Sequence, residues 1–230
     1  MKRKDLLGLD GVSREEITSI LDTALMMRQV VRSNNKKTPH LQGKSIVTLF
    51  YENSTRTRMS FELASKYMSA AAANISASAS SVAKGETLID TGVTLDQMGT
   101  DVIIIRHPMS GAPTLIPPRM DELGCTIAPT IEDACEDADV VMGLRIQRER
   151  QQKGLFPSVA EYCDHWEITP QRLALAKKNA LVMHPGPMNR GVEIASSVAD
   201  CGQSVITQQV ESGVAVRMAL LYMLTRRENV

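Results

Sequence analysis

The chain has 230 residues with 26 Lys and Arg against 26 Asp and Glu, so it lacks the global field that nucleic acid or an anionic membrane would require. Its four cysteines (Cys125, Cys135, Cys163, Cys201) are scattered, with no C-x-x-C pair and no histidine spacing suited to zinc, and read as reduced thiols of a cytoplasmic protein. No apolar run of membrane-spanning length and no leader pattern is expected, since Met1-Lys2-Arg3-Lys4-Asp5 opens directly into mixed sequence.

In chain order, Ser13-Arg14-Glu15-Glu16 reads as a capping box, and Ile17, Ile20, Leu21, Ala24 and Leu25 mark one face of the helix it opens. A polar connection over 33–42 leads to a strand over 45–51. The turn Ser54-Thr55-Arg56-Thr57-Arg58 then feeds a helix carrying Phe61, Ala64, Tyr67 and Met68. Residues 70–83 are almost wholly Ala and Ser and read as a low-complexity loop. A moderately helical stretch over 87–98 follows, then the apolar run Asp101-Val102-Ile103-Ile104-Ile105, as expected of a parallel strand covered on both faces. That strand delivers Arg106 to its C-terminal edge. Pro108, Gly111, Pro113, Pro117 and Pro118 break the pattern.

A second α/β rhythm comes next. A short helix over 119–123, a weak strand over 125–127 and a helix over 131–138 precede a buried strand over 140–144 that ends in Arg145. Residues 148–154 read as a charged, exposed loop. Thr169-Pro170 starts a helix by the cap-then-proline rule. A strand over 180–183 runs into His184-Pro185-Gly186-Pro187-Met188-Asn189-Arg190-Gly191. A last helix carries Val210, Val214, Met218, Leu221 and Leu224 on one stripe. Alternating strands and helices of this kind make an α/β protein with parallel sheets. Three strands end in Arg or His followed by polar loops, which points to an anionic substrate.

The strongest single signal is Ser54-Thr55-Arg56-Thr57-Arg58. At a helix N-terminus the first backbone N–H groups lack intrahelical partners and the dipole favours negative charge. Two guanidinium forks and several hydroxyls added there make a phosphate cradle without a Gly-rich loop. A capped helix with solvated arginines is the competing reading. The location after a buried strand, where open α/β sheets bind ligands, favours the cradle.

This run, followed by Ser60-Phe61-Glu62, resembles the carbamoyl-phosphate signature of the aspartate and ornithine carbamoyltransferases. Lys84-Gly85-Glu86, the run from Leu144 to Arg150 and the run from His184 to Ile194 resemble the bacterial aspartate branch. Ornithine enzymes carry a Cys-Leu-Pro type motif where this chain has Pro185-Gly186-Pro187, which disfavours them. The resemblance implies two parallel-sheet α/β domains of the carbamoyltransferase type. A carbamoyl-phosphate-binding domain would span 1–113, completed by a C-terminal helix over 205–230, and an aspartate-binding domain would span 114–204. The implied reaction moves the carbamoyl group of carbamoyl phosphate to the amine of L-aspartate, giving N-carbamoyl-L-aspartate and phosphate in pyrimidine biosynthesis.

The roles the resemblance implies fall on matching residues. Ser54, Thr55, Arg56 and Thr57 would bind the phosphate, with Thr57 also near the carbonyl oxygen and Arg106 bridging phosphate and carbonyl. Ser80 and Lys84 would reach into a neighbouring subunit's site, making a homotrimer with shared sites. Arg145 and Gln147, with Lys84, would hold the aspartate carboxylates. Gly186 and Pro187 would offer backbone carbonyls to the carbamoyl amide. Arg56, Thr57, Lys84 and Arg106 would carry catalysis by positioning and electrostatics, with no metal or other cofactor. Regulatory or dihydroorotase chains are the implied protein partners.

The chain also departs from the family pattern. Between Arg106-His107-Pro108 and Pro117-Pro118 the family carries a further segment, including a His-Pro-Thr-Gln motif, the crossover to the second domain and an Arg for the aspartate carboxylate. Here Gly111-Ala112-Pro113 runs straight into Thr114-Leu115-Ile116. The end of the first domain and the second are therefore expected to be truncated. Loss of one oxyanion donor costs about 10²–10³ in rate. The alternative expectation is an internally deleted member, impaired or inactive, that serves as a trimer-forming assembly subunit.

Overall fold

Residues 6, 8–9, 11–50, 54–76, 88–106, 128–146 and 158–225 are described by the computed structural model. They belong to two units, one over Met1–Ser110 with Glu211–Val230 and the other over Gly111–Val210.

In the first unit, α1 (Arg14–Arg32) begins at the capping box expected from the sequence. The Glu16 N–H donates to Ser13 Oγ at 3.2 Å, and the Ser13 N–H donates to the Glu16 carboxylate at 3.3 Å. Strand β1 (Ser45–Phe50) is central in a parallel sheet of order β2-β1-β3, with β2 (Ala71–Ser76) and β3 (Val102–Arg106) on either side. Its register sets Phe50 opposite both Ser76 and Arg106, so Arg106 stands where β1 ends. On one face Ile46 packs with Ile20, Ala24 and Met27 of α1, with Ala64 and Met68 around α2 (Thr55–Tyr67), and with Met218 and Leu221 of the last helix. On the other face Val47 and Leu49 pack against Leu95 of α3 (Leu88–Gln97). Each fully buried aliphatic side chain contributes roughly 1.5–3 kcal/mol.

Two expectations need correction here. Residues 71–76 are a strand, not part of a loop. The backbone of this Ala-rich stretch is satisfied by pairing along β1 and by the Ala71 N–H donating to Lys44 O at 2.8 Å, so tertiary pairing overrides the low strand preference of Ala. Asn74 strengthens the attachment, since its side chain hydrogen-bonds the Thr48 hydroxyl and donates to Glu62 Oε2 at 2.8 Å. Strand β3 is also not covered throughout, because Ile105 is 51% exposed.

In the second unit, α4 (Ile131–Cys135), α5 (Val159–Trp166) and α6 (Pro170–Leu173) are each opened by a hydroxyl cap: Thr130, Ser158 and Thr169. The Thr169-Pro170 start is as expected, whereas α5 and α7 (Ser196–Ala199) were not expected from the sequence. Strands β4 (Val140–Met142) and β5 (Leu181–Met183) pair in parallel. Val141, Val182, Ile168, Leu173, Ile194 and Val198 form the core beneath them. The opposite face departs from the expected buried strand: Val140, Met142 and Leu144 are 48%, 53% and 63% exposed, and Leu181 beside them is 44% exposed.

Helix α8 (Ile206–Thr225) starts in the second unit and continues into the first. Its buried residues are Ile206, Ala215, Met218, Ala219 and Leu221, while Val210 of the expected stripe is exposed. Among the described residues no helix is long and apolar enough to cross a membrane. The elements expected over 119–127 and the loop over 148–154 lie outside the described residues, as does the junction of Pro113 with Thr114.

Candidate functional site

Helix α2 begins one residue beyond Ser54, which has φ −145° and ψ 73° and makes no side-chain capping bond. A serine at this position ordinarily accepts from the second or third N–H of the helix. Here its Oγ instead accepts from Arg106 Nη1 at 3.3 Å. The helix is opened by the Arg58 N–H donating to Ser54 O at 3.0 Å, and its first turn holds no acidic residue. Thr55 and Arg56 are exposed, while Ser54 and Thr57 are half-buried. The positive end of the helix dipole, a serine that leaves the first-turn N–H groups uncapped and two arginines are thus gathered at the C-terminal edge of a parallel sheet, an arrangement suited to an oxyanion.

A residue not anticipated from the sequence adds to this field. Arg217 of α8 lies over the Phe61 ring of α2, 5.1 Å from its centroid, and donates from Nη1 to Gly213 O at 2.6 Å. Burial pulls its pKa down from the ordinary arginine value, and repulsion from Arg56 adds to the effect. An arginine nonetheless keeps its charge, so Arg217 contributes positive potential near the start of α2. Glycine at 213 leaves room for it, since a Cβ there would meet Arg217 Nη1 at 3.0 Å.

In the second unit, β4 delivers Arg145, which is half-buried three residues beyond its end. The Ile146 carbonyl accepts from Asn189 Nδ2 at 3.2 Å, tying this strand end to the turn after β5. In that turn the Gly186–Pro187 peptide is cis, and Gly186 sits at φ 60°, a conformation glycine adopts without Cβ strain. Gly186 is buried and Pro187 exposed. The Gly186 N–H donates to His184 Nδ1 at 2.8 Å, and the His184 N–H donates to Gln209 Oε1 at 2.9 Å. His184 is fully buried. Its Nε2 lies 3.4 Å from Oε1 of Glu193, which is 2% exposed and also accepts from the Asn189 N–H at 2.5 Å.

Of the residues expected to act together, the structure brings Ser54 and Arg106 into contact and sets Thr55, Arg56 and Thr57 in one helical turn. Arg145, Gly186 and Pro187 follow the C-terminal ends of two paired strands of the second unit. Ser80, Lys84 and Gln147 lie outside the described residues. Glu193, Asn189 and Gln209 were not singled out from the sequence. Among the described residues no group of three or more His, Cys, Asp or Glu could hold a metal ion.

Two family models match the chain: the carbamoyl-P binding domain of aspartate/ornithine carbamoyltransferase over residues 4–120, and its Asp/Orn binding domain over residues 118–224. The aspartate carbamoyltransferase catalytic subunit of Ruminiclostridium cellulolyticum is 50% identical over 303 residues, covering 99% of this chain and 97% of that protein. That of Acetivibrio thermocellus is 49% identical over 305 residues, covering 100% and 98%. Matches of 303 and 305 positions against a chain of 230 residues pass over positions that have no counterpart here. The fold is similar to that of aspartate transcarbamoylase from Trypanosoma cruzi, solved with carbamoyl aspartate and phosphate, with a TM-score of 0.81 at 22% identity over 96% of this chain and 95% of that one.

Proposed function

Because the chain belongs to the aspartate/ornithine carbamoyltransferase family, we propose that it transfers the carbamoyl group of carbamoyl phosphate to the amine of L-aspartate, yielding N-carbamoyl-L-aspartate and phosphate for pyrimidine synthesis. The observation that supports this most is the 3.3 Å contact of Arg106 with Ser54 at the uncapped start of α2. Ser54, Thr55, Arg56 and Thr57 bind the phosphate with the first-turn N–H groups. Arg106 spans phosphate and carbonyl oxygen, and Thr57 supports that oxygen as charge develops on it. Arg145 and Gln147 hold the aspartate carboxylates. Gly186 and Pro187 accept from the carbamoyl amide through their carbonyls.

The α-amine attacks the carbamoyl carbon, the bond from that carbon to the phosphate oxygen breaks, and the amine proton leaves with the departing phosphate. Both substrates are anionic, so the protein's work is to hold like charges together and stabilise the transition state. Ser80 and Lys84 act in a neighbouring subunit of a cytoplasmic homotrimer, which regulatory or dihydroorotase chains can join. Pro185-Gly186-Pro187 supports aspartate over ornithine as the acceptor.

The purified chain, given carbamoyl phosphate and L-aspartate, should release phosphate at a rate that depends on aspartate. A rate no greater than in enzyme-free controls would instead identify an internally shortened, non-catalytic assembly subunit. Sedimentation checks the trimer, and a well-folded monomer would contradict shared sites.

A further inference from the structure

We infer that His184 and Glu193 form a buried positioning pair that fixes the Gly186–Pro187 turn, and hence the direction of its carbonyls. This rests on the carbamoyl-transfer reading above for what the carbonyls bind, but not for how the turn is held. The turn is fastened at both ends by side chains rather than by a backbone ladder. At its start the Gly186 N–H donates to His184 Nδ1 at 2.8 Å, and at its end the Asn189 N–H donates to Glu193 Oε1 at 2.5 Å. The two fastening side chains face each other, Nε2 to Oε1, at 3.4 Å.

The tautomer follows from these bonds. An Nδ1 that accepts a backbone N–H carries no proton, so the ring proton is on Nε2, the nitrogen 3.4 Å from Glu193 Oε1. Removing the Glu193 acceptor would therefore disturb both ends of the turn, one directly and one through the ring.

The ring itself has little freedom. At Gly143 a Cβ would come within 3.3 Å of His184 Cδ2 and 3.2 Å of Ile168 Cδ1, so glycine there makes room for the imidazole. The His184 N–H is held by Gln209, and the Glu193 carbonyl accepts from the Ile168 N–H at 3.1 Å. A histidine serving only as core filler would not need a partner at the amide of the residue proposed to contact substrate. Buried polar atoms are costly unless satisfied, and His184 Nδ1 and Glu193 Oε1 are spent on two amides that bracket Pro187.

The test compares His184→Asn with His184→Gln. The Asn Oδ1 reaches the place of Nδ1 and can accept from Gly186, whereas the Gln amide extends to the place of Nε2 and cannot. In steady-state carbamoyl transfer, His184→Asn should keep the KM for carbamoyl phosphate within about threefold, and His184→Gln should raise it about tenfold, the equivalent of one buried hydrogen bond, with the aspartate KM unchanged. Equal behaviour of the two variants would overturn the pair's role. Amide hydrogen exchange at Gly186 is followed in parallel and should be about tenfold faster in His184→Gln than in His184→Asn. Exchange decides the point even if the unsubstituted chain turns nothing over, an outcome that would sink the proposed reaction alone. If His184→Gln does not fold, Glu193→Asp takes its place. One methylene shorter, it cannot reach both Asn189 and the ring, so exchange at Asn189 should quicken about threefold, and an unchanged rate would overturn the pair.

Discussion

Replacing Arg106 by Ala should weaken carbamoyl phosphate binding far more than replacing Ser54, although the two side chains touch. A hydrogen bond between charged groups contributes about 1.5–3 kcal/mol, and each 1.4 kcal/mol is about tenfold in affinity, so Arg106→Ala should cost about 10- to 150-fold. The Arg106–Ser54 contact at 3.3 Å is long for an N–H···O bond, and Ser54→Ala should cost only about two- to fivefold. Because the pair is in contact, the double variant should fall short of the sum by about 0.5–1 kcal/mol. Isothermal titration of carbamoyl phosphate, in phosphate-free buffer at fixed ionic strength, measures all three. Affinity within twofold of the unsubstituted chain for Arg106→Ala, or strict additivity of the pair, would refute the cradle.

Three further outcomes probe the fold. Met218→Ala removes a fully buried side chain where α8 meets the first unit's core, and urea unfolding should report a loss of about 2–5 kcal/mol. Gly143→Ala, whose Cβ would crowd Ile168 and His184, should lose about 1–3 kcal/mol by thermal unfolding, while Gly202→Ala, with nothing within 4 Å, serves as the neutral control. Asp101 is held below its ordinary value of 3.8, first by the hydrogen bond from Lys44 and then by the Ser45 amide. With the folded pKa depressed, its contribution is complete above the unfolded value and is lost as pH falls through the folded one, so Asp101→Asn should flatten the acid limb of urea stability.

What could be read from the sequence divides along physical lines. Capping boxes and cap-then-proline starts are local chemistry, and Ser13, Glu16 and Thr169 act as their spacing implies. Strand β2 could not be read because Ala and Ser carry no hydrophobic period. Its pairing depends on β1, a partner distant in sequence. The exposed face of β4 was missed for a related reason. An unbroken apolar run indicates strand, but whether anything covers Val140 and Met142 depends on elements elsewhere in the chain. At the site, Ser54 and Arg106 were legible as strand-end and helix-start chemistry, though not their contact. Arg217 was hidden on a helix whose pattern drew attention to its apolar residues. The His184–Glu193 pair was hidden because buried polar partners nine residues apart leave no periodic mark.

The most direct test is product analysis with labelled carbamoyl phosphate and an equimolar mixture of L-aspartate and L-ornithine. The expected result is labelled N-carbamoyl-L-aspartate, no labelled citrulline, and loss of product in Arg106→Ala. Labelled citrulline as the main product, or no labelled product from a folded chain, would contradict the proposed reaction.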